Sequence, residues 1–366
     1  MVNNYKDLIS NHFENHSFVE QDINSYNEFL RKGLQKIVDD VGDIVPTIIP
    51  QEYENFKIKL GKVHIGKPEV IEADGSKRPV YPMEARLRQL TYSAPIFLEV
   101  SAHINDVQRE SFTSQICQIP IMLKSDNCHL KGLPKENLVK KGEDSDDFGG
   151  YFIINGNERT FVIIEDLASN KLFVKNMATG PSKKVGKLFS EKGNYRIPHT
   201  IEQMKDGVIY YSFSRFKRIP IISVIKALGL SSDKEIMELI SLDGAEDDIL
   251  VNLYNSAELK DQTSALDFLA KQSGITQKEF KHERILEQLD KYLLPHLGSN
   301  PNDRITKANN ICKLVKKYLM ISSKGIKPQT QDHYSNKRLK LSGDLLTDLF
   351  RVNINSLVQD ILYNFQ

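Results

Sequence analysis

The sequence has few cysteines, and their spacing excludes two kinds of covalent or metal cross-link. Only Cys117, Cys128 and Cys312 occur among the 366 residues, and none of them belongs to a CxxC pair. A disulfide framework needs paired cysteines, and a structural zinc site usually needs two closely spaced pairs. The sequence therefore predicts neither, and it favours a reducing compartment such as the cytoplasm.

Long apolar runs are also missing. A membrane-spanning helix needs about 18 consecutive apolar residues, and no such run occurs. The first residues, MVNNYKDLIS, show no basic-then-apolar export signal. We therefore expect no membrane association and no export. Since 40% of the residues are hydrophobic and 27% are charged, the chain is expected to fold, and its length suits two or three domains.

The motifs of self-contained active sites are missing as well. The segment GPSKKVGKL (180–188) has one residue too many between its glycines for a phosphate-binding loop, and Leu188 stands where Ser or Thr would hold magnesium. The acidic run at 143–147 lacks the ligand spacing of a calcium loop and is interpreted as a solvated turn. Cys128 and His129 have no second pair at zinc-ligand spacing. We predict no catalytic residue and no metal site.

Hydrophobic periodicity predicts mixed helices and antiparallel strands, an α+β fold. Apolar residues recur at three- and four-residue steps from Gln21 to Val41, which predicts an amphipathic helix that ends at Gly42. From Asn55 to Ile71 polar and apolar residues alternate, as in strands with one buried face. Further helix or strand segments are predicted at 82–100, 116–123 and 151–165.

The stretch GGYFIINGNER (149–159) predicts a β-hairpin. Gly149 and Gly150 allow a sharp backbone turn into a strand over 151–154. Asn155 and Gly156 form a pair suited to a tight hairpin turn, followed by a second strand over 159–165.

After residue 167 the pattern changes. Glycine, proline, serine and lysines at 180–184 indicate a domain boundary near 170–182. Beyond it, helical spacing dominates. Helices are predicted within 219–230, 233–242, 264–273, 282–298, 305–322 and 343–366.

Charge is segregated along the chain although the net charge is only +1. From Lys171 to Lys226 there are twelve lysines and arginines against three acidic residues, whereas from Ser231 to Ala265 there are two against nine. If folding separates these segments, one surface is basic and another is acidic. The alternative is that both surfaces are solvated faces without a partner.

Seven segments resemble, in order, the second-largest subunit of archaeal and eukaryotic DNA-directed RNA polymerases. GGYFIINGNER and its surroundings are the most specific, and IIEDLASNK (163–171) is similar to archaeal versions. The segments are Tyr81–Val100, Ile119–Leu130, Phe148–Lys171, Arg218–Ile240, Thr263–Ala270, Leu293–Gly298 and Asp332–Arg351.

The resemblance implies a noncatalytic part of a nucleotidyltransferase. Residues 1–181 would form most of a protrusion domain, 182–332 a lobe domain, and 333–366 a segment that returns to the protrusion before the fork region. Together they would line one wall of the DNA cleft. The catalytic aspartates would belong to the largest subunit, and magnesium and zinc would bind elsewhere in the complex, so no cofactor is expected here.

The implied partners are the largest subunit, the remainder of the second-largest subunit, the DNA template and general transcription factors. The end at Gln366 leads us to expect a truncated chain, an incomplete gene or one piece of a divided subunit. In an archaeon the protein would be cytoplasmic and associated with the nucleoid.

Local charge, and not the resemblance, selects the candidate phosphate contacts between Lys183 and Arg218. In the family pattern, Asp332, His333, Lys337 and Arg338 form a charged junction that could hold DNA or a neighbouring domain. We prefer domain packing for this junction, but we keep its two basic residues, Lys337 and Arg338, as candidates.

The alternative function is a protein-interaction module, in which acidic helices between Asp233 and Asp248 dock transcription factors or other subunits. The candidates are Lys183, Lys184, Lys187, Lys192, Arg196, Arg215, Lys217, Arg218, Lys337 and Arg338.

Overall fold

The computed structural model describes residues 4–46, 55–193, 195–241, 246–274, 280–322, 326–327 and 330–365. The chain divides into two units. Unit 1 comprises Met1–Asp166 and Leu339–Gln366, and unit 2 comprises Leu167–Arg338. Among the described residues, no helix is both long and apolar enough to cross a membrane.

The first part of the chain builds most of unit 1 around a four-stranded antiparallel sheet with the order β1–β2–β5–β6. Its apolar residues and those of α2 and α3 share one core. The elements are α1 (Asn4–Asn15), α2 (Glu20–Glu28), α3 (Leu34–Val41), β1 (Asp43–Ile44), β2 (Phe56–Ile65), β3 (Glu69–Ile71), β4 (Lys77–Pro79), α4 (Pro82–Leu87), β5 (Ser93–Ile104), β6 (Val107–Pro120), α5 (Lys135–Lys140), β7 (Phe152–Ile154), β8 (Asn157–Arg159) and β9 (Ile164–Leu167).

The predicted amphipathic helix before Gly42 is confirmed. α2 and α3 are joined by a π-helical turn at Phe29–Gly33, which periodicity alone did not indicate. Tyr26 and Leu34 point into the core. Gly42 ends α3 with φ +70°, a conformation that glycine adopts without strain.

The predicted hairpin is confirmed, although its second strand is shorter than expected. Gly149 has φ +74°, and a Cβ there would lie 2.7 Å from the carbonyl oxygen of Leu123. Asn155 and Gly156 both have positive φ, and β7 pairs with β8 in antiparallel register. The predicted strand over 159–165 is wrong, because β8 ends at Arg159 and the next strand, β9, pairs with a different partner.

Unit 2 packs a five-stranded antiparallel sheet, ordered β10 to β14, against helices α6 to α11. These helices confirm the helical pattern predicted beyond Arg218. The elements are β10 (Leu172–Asn176), β11 (Lys184–Lys192), β12 (Tyr195–Gln203), β13 (Ile209–Phe213), β14 (Phe216–Pro220), α6 (Ile221–Ala227), α7 (Asp233–Ile240), α8 (Glu246–Asn255), α9 (Gln262–Ser273), α10 (Lys281–Tyr292) and α11 (Arg304–Ser322).

The five-stranded sheet was not predicted from the sequence. The glycine- and lysine-rich change of texture at 180–184 lies in the connection between β10 and β11, because Leu172 pairs with Leu188 and Asn176 pairs with Lys184. Residues 170–182 are therefore part of a hairpin within unit 2, and the chain passes between the units at 166–167 and 338–339.

The chain returns to unit 1 through β15 (Lys337–Lys340), which pairs with β9, and ends in α12 (Ser342–Phe365). α12 confirms the last predicted helix. Its start docks on α2, since the Ser342 hydroxyl donates to the Asp22 carbonyl at 2.9 Å. Phe350 and Ile354 are buried in the core of unit 1.

Candidate nucleic-acid interface

The sheet of unit 2 has one face covered by helices and one face that carries polar and basic residues. Leu188, Ile201 and Tyr211 are buried against the helices. Because side chains alternate along a strand, Lys187 lies on the other side of the sheet from Leu188, and it is exposed. We call this side the open face. It includes Lys175, Lys187, Arg196, Thr200, Ser212 and Arg218.

Two of the predicted cations stand in one row across the open face. Lys187 is opposite Thr200, and Thr200 is opposite Ser212. The backbone N–H of Arg218 donates to the Ser212 hydroxyl at 2.8 Å, which places Arg218 at the far end of the row. Adjacent strands lie about 4.8 Å apart, so the backbones at Lys187 and Arg218 are separated by about 14 Å.

A third predicted cation, Arg196, lies further along the open face. It is opposite Glu191 in the register of β11 and β12. Its guanidinium carbon lies 4.8 Å from the centroid of the Phe189 ring, a cation–π distance that holds the planar charge over the ring. Aromatic and basic side chains together are typical of surfaces that bind nucleic acids.

One basic residue of the open face was missed. Lys175 is exposed on β10 and lies opposite Val185, diagonally next to Lys187. Lys175 falls within the stretch 170–182 where the sequence predicts a domain boundary, and only the pairing of β10 with β11 shows its position. The acidic residue Glu202 moderates the charge of this face, since its Oε2 is 3.8 Å from Nε of Arg218.

Four more candidates lie at or near the edges of the sheet. Lys183 precedes β11, Lys192 ends it, Arg215 lies in the turn between β13 and β14, and Lys217 lies on β14. All four are exposed. Within the described ranges, none of their side chains makes a hydrogen bond or an ion pair, so their charges are directed at solvent.

Lys184 has a structural task. It lies on β11 on the same side as Leu188, and its ammonium donates to the carbonyl oxygens of Ile321 at 2.6 Å and Ser322 at 3.2 Å. A cation at the carboxyl end of a helix satisfies carbonyls that have no partner within the helix. Lys184 therefore fastens the end of α11 to the sheet.

The charged junction before α12 is held by contacts within itself. Arg338 donates to the carbonyl oxygens of Ser335 at 3.3 Å and Lys337 at 2.8 Å. The Lys337 ammonium lies 5.6 Å from the Tyr334 ring. The carbonyl oxygen of buried Asn336 accepts from the Ala168 backbone at 2.8 Å. The junction thus ties the end of unit 2 to its beginning.

The acidic run at 143–147 is only partly the solvated turn that the sequence predicts. Glu143 is buried, and both of its oxygens accept from Nη1 of Arg86, at 3.0 and 2.8 Å. Asp147 accepts from the Tyr151 hydroxyl at 2.7 Å and from the Gly149 backbone at 2.9 Å. Glu143 is buried where it neutralises Arg86 of α4. The two residues are distant in the sequence, so local spacing does not reveal this pair.

Cys128 and His129 also have structural partners. The His129 backbone N–H donates to the Tyr92 hydroxyl at 3.0 Å, and its Nε2 lies 2.9 Å from the Pro68 carbonyl oxygen. Burial raises the pKa of the Cys128 thiol. Over the described part of the chain, no group of three or more His, Cys, Asp and Glu side chains is arranged to hold a metal ion.

Unit 2 buries ionisable groups that the sequence did not single out. The ammonium of fully buried Lys307 donates to the carbonyl oxygens of Leu289 and Asp290, and burial lowers its pKa to about 8. Burial lowers the pKa of His199 to about 3, and its Nδ1 shares a hydrogen bond with the Tyr211 hydroxyl at 2.9 Å. Both groups lie in the core of unit 2 and do not reach the open face.

Comparison with known proteins gives consistent matches along the chain. A family model described as RNA polymerase beta subunit matches residues 17–366. DNA-directed RNA polymerase subunit Rpo2 of Saccharolobus solfataricus is 39% identical over 363 residues, 98% of this chain and 32% of the relative. Subunit Rpo2N of Methanocaldococcus jannaschii is 38% identical over 371 residues, 99% of this chain and 74% of the relative. Subunit Rpo2N of Halobacterium salinarum is 35% identical, with 99% and 72% covered.

The coverage differs between the two kinds of relative. This chain spans about a third of the length of the Rpo2 relatives and about three quarters of the Rpo2N relatives. The family resemblance inferred from the seven segments is confirmed by these matches.

Proposed function

Since the chain belongs to the RNA polymerase beta subunit family, we propose that it serves as the N-terminal part of the second-largest subunit of a DNA-directed RNA polymerase. In this role it contributes a wall of the DNA cleft during DNA-templated RNA synthesis. The chemistry of nucleotide addition is carried by other parts of the enzyme, and this segment contributes no catalytic residue and no cofactor of its own. Magnesium and zinc bind elsewhere in the complex.

The domain assignment is part of the proposal. The protrusion corresponds to unit 1, and the lobe corresponds to unit 2, so that the proposed limits at 181–182 and 332–333 move to the crossings at 166–167 and 338–339. The discontinuity of unit 1 supports this assignment, because a protrusion that the chain leaves and re-enters needs two crossings.

The proposed partners of this chain are the largest subunit, the remainder of the second-largest subunit, the DNA and general transcription factors.

The open face of unit 2 is the proposed nucleic-acid contact. The observation that carries this assignment is the exposure of Lys187, Arg196 and Arg218 on the side of the sheet opposite to the buried Leu188, Ile201 and Tyr211. Phosphate contacts position nucleic acid without reading its sequence, so a row of cations is sufficient for this task. Lys183 extends the positive surface at its edge, whereas alternation along β11 places Lys192 on the side of Leu188. Lys184 is not included, because its ammonium is engaged by α11.

The test is the salt dependence of DNA binding by polymerase assembled with this chain. The variant Lys183→Glu/Lys187→Glu removes two exposed cations that have no ion-pair partner in the described ranges. Each lost phosphate contact should make the slope of log Kobs against log salt less negative by about 0.9. DNA should therefore dissociate at lower salt and with a shallower slope.

The matched control is Lys271→Glu/Lys313→Glu, which makes the same charge change on two exposed helical positions of unit 2. We expect its slope to stay that of the parent enzyme. A slope equal to the parent's for Lys183→Glu/Lys187→Glu would show that the open face does not bind DNA, and an equal change of slope in both variants would show a general effect of net charge.

A further inference from the structure

Helix α8 exposes apolar side chains on the side that faces away from its core. Leu250, Val251 and Tyr254 are 48%, 41% and 86% exposed. They are separated by one, three and four positions, so they form one stripe along the helix. The opposite side of α8 is already packed, since Ile249 and Asn252 are buried. The stripe is therefore additional to the apolar surface that folding requires.

The packing of α8 fixes this orientation. Asn252 accepts from the Ile209 backbone N–H at 2.7 Å and donates to the Gly207 carbonyl oxygen at 3.1 Å. Asp248 accepts from the Gln203 side-chain amide at 2.9 Å. These bonds tie α8 to β12, β13 and their turn, so the helix cannot rotate to bury Leu250 and Tyr254 without breaking them.

Exposed acidic residues lie on α8 itself, on the preceding helix α7 and just after α8. Glu235 and Glu238 on α7, Glu246 and Asp247 at the start of α8, and Glu258 beyond its end are exposed. In the ranges that the structure describes, none of these five side chains forms a hydrogen bond or an ion pair. By contrast, Asp233 is engaged with the buried Lys226 at 2.7 Å.

The chemistry of a fitting partner follows from these two features. Nucleic acid is repelled by the carboxylates, and a purely apolar partner leaves them without counter-charges. A protein segment that presents a few apolar side chains between lysines or arginines matches both the stripe and the carboxylates. Its apolar residues would cover the stripe, and its cations would pair with the exposed acidic residues. An amphipathic helix has the spacing to do this.

We propose that the surface formed by α8 and the adjoining acidic residues of α7, here called the acidic–apolar face, docks a basic amphipathic segment of a partner protein. The inference goes beyond nucleic-acid binding and does not depend on it, because it concerns different residues, opposite charge and another class of ligand.

A direct test measures binding of a synthetic probe to the full chain by fluorescence anisotropy. The probe is a labelled peptide of about four helical turns, with leucines at three- and four-residue spacing and lysines elsewhere. Its comparison peptide has the same composition in an order that destroys the stripe. We expect the patterned peptide to bind at least about fivefold more tightly than the scrambled one, since anchoring apolar residues contribute about 1 kcal/mol or more.

Two variants locate the binding. Glu246→Lys/Asp247→Lys should weaken the patterned peptide about tenfold, and Leu250→Ser/Tyr254→Ser should reduce its advantage over the scrambled peptide to less than about twofold. The control, Glu110→Lys/Glu136→Lys, makes the same charge change at exposed positions of unit 1 and should leave both affinities unchanged. Because all of these positions are exposed, circular dichroism should show parental folding.

The proposal is overturned if the two peptides bind equally, or if the control weakens binding as much as the α8 variants do. Self-association is the other outcome to separate. If sedimentation shows that the chain dimerises and that Leu250→Ser/Tyr254→Ser abolishes the dimer, the face is occupied by a second copy and the assignment to a basic partner segment is wrong.

Discussion

The region near α4 in unit 1 and two surfaces of unit 2 use charge in different ways. In unit 1 the arginines near α4 are paired: Arg86 binds Glu143 and Glu158, while Arg78 and Arg88 share Glu72 and Glu84. In unit 2 the charges of the open face and of the acidic–apolar face are mostly directed at solvent. Paired charges fix the positions of neighbouring elements, whereas separated charges create a field that acts on a partner. A net charge of +1 conceals this difference.

The largest loss of stability is expected from Arg86→Ala, which breaks a buried ion pair of unit 1. The side chain of Glu143 is only 5% exposed and would remain as an unpaired buried charge. We expect a loss of about 3 kcal/mol in the free energy of unfolding, because an isolated buried carboxylate is costly. Urea denaturation read by hydrogen exchange in unit 1 measures it. The double variant Arg86→Met/Glu143→Gln should recover part of the loss. A single variant as stable as the parent would show that Glu143 tolerates burial without Arg86.

A pH-dependent loss of stability is expected in unit 2. His199 stays neutral in the folded state because burial lowers its pKa to about 3, and the positive charge of the neighbouring Lys307, like that of His296 when it is protonated, acts in the same direction. Unfolding restores the ordinary value of 6.5, so the unfolded chain gains a proton that the folded chain refuses. The stability that neutral His199 allows is fully present above about pH 6.5, and it is lost as the pH falls toward about 3.

The loss from His199 between about pH 7 and about pH 4.5 should be on the order of 2 kcal/mol. Hydrogen exchange of peptides from β12 and β13 reports it, and His199→Gln should flatten the pH dependence. The exposed His64→Gln is the matched control and should not change it. An equally steep profile in the His199 variant would assign the acid sensitivity to other groups.

A smaller effect is expected for the exposed arginine network of unit 1. Arg78 donates to Glu72 and Glu84. The hydrogen bonds of Arg78 and Arg88 to Glu84 lower the pKa of that carboxyl to about 2. The pairs are open to solvent, so Arg78→Ala should reduce stability by only a small fraction of the loss from Arg86→Ala. The stability difference between Arg78→Ala and the parent protein should shrink further in high salt, because exposed ion pairs are screened. A loss as large as that of Arg86→Ala would remove the distinction between buried and exposed pairs.

The smallest effect on stability is expected on the acidic–apolar face. Glu246→Lys/Asp247→Lys should lower the midpoint of thermal unfolding only slightly. Neither side chain has a partner to lose in the described residues, but both lie in the first turn of α8, where carboxylates favour the helix dipole and lysines oppose it. Differential scanning calorimetry of the two proteins checks this. Marked destabilisation would mean that these carboxylates support α8, and that their exposure does not indicate a docking role.

The elements that could be predicted from sequence are those whose pattern is local. The amphipathic helix before Gly42, the hairpin at Gly149 and Gly150 and the helices after Arg218 all follow from spacing or from backbone requirements of single residues. The five-stranded sheet of unit 2 escaped prediction. Three of its five strands have only five residues, and its β10–β11 connection, rich in glycine and lysine, has the composition of a linker.

The candidate residues show the same limit. Local charge selected Lys184 and Lys187 equally, since they are three positions apart in one basic segment. The strand alternation and the packing of α11 separate them, because Lys184 reaches helix carbonyls and Lys187 faces solvent. Lys175 was overlooked because its strand partner was unknown.

The sequence by itself determined the helical and hairpin segments, the family and the division of charge along the chain, because each depends on the order of neighbouring residues. Only the tertiary structure decided which charges are available. Whether Glu143 or Asp247, Lys184 or Lys187 is free depends on groups that folding brings close from distant positions, and no local pattern contains that information.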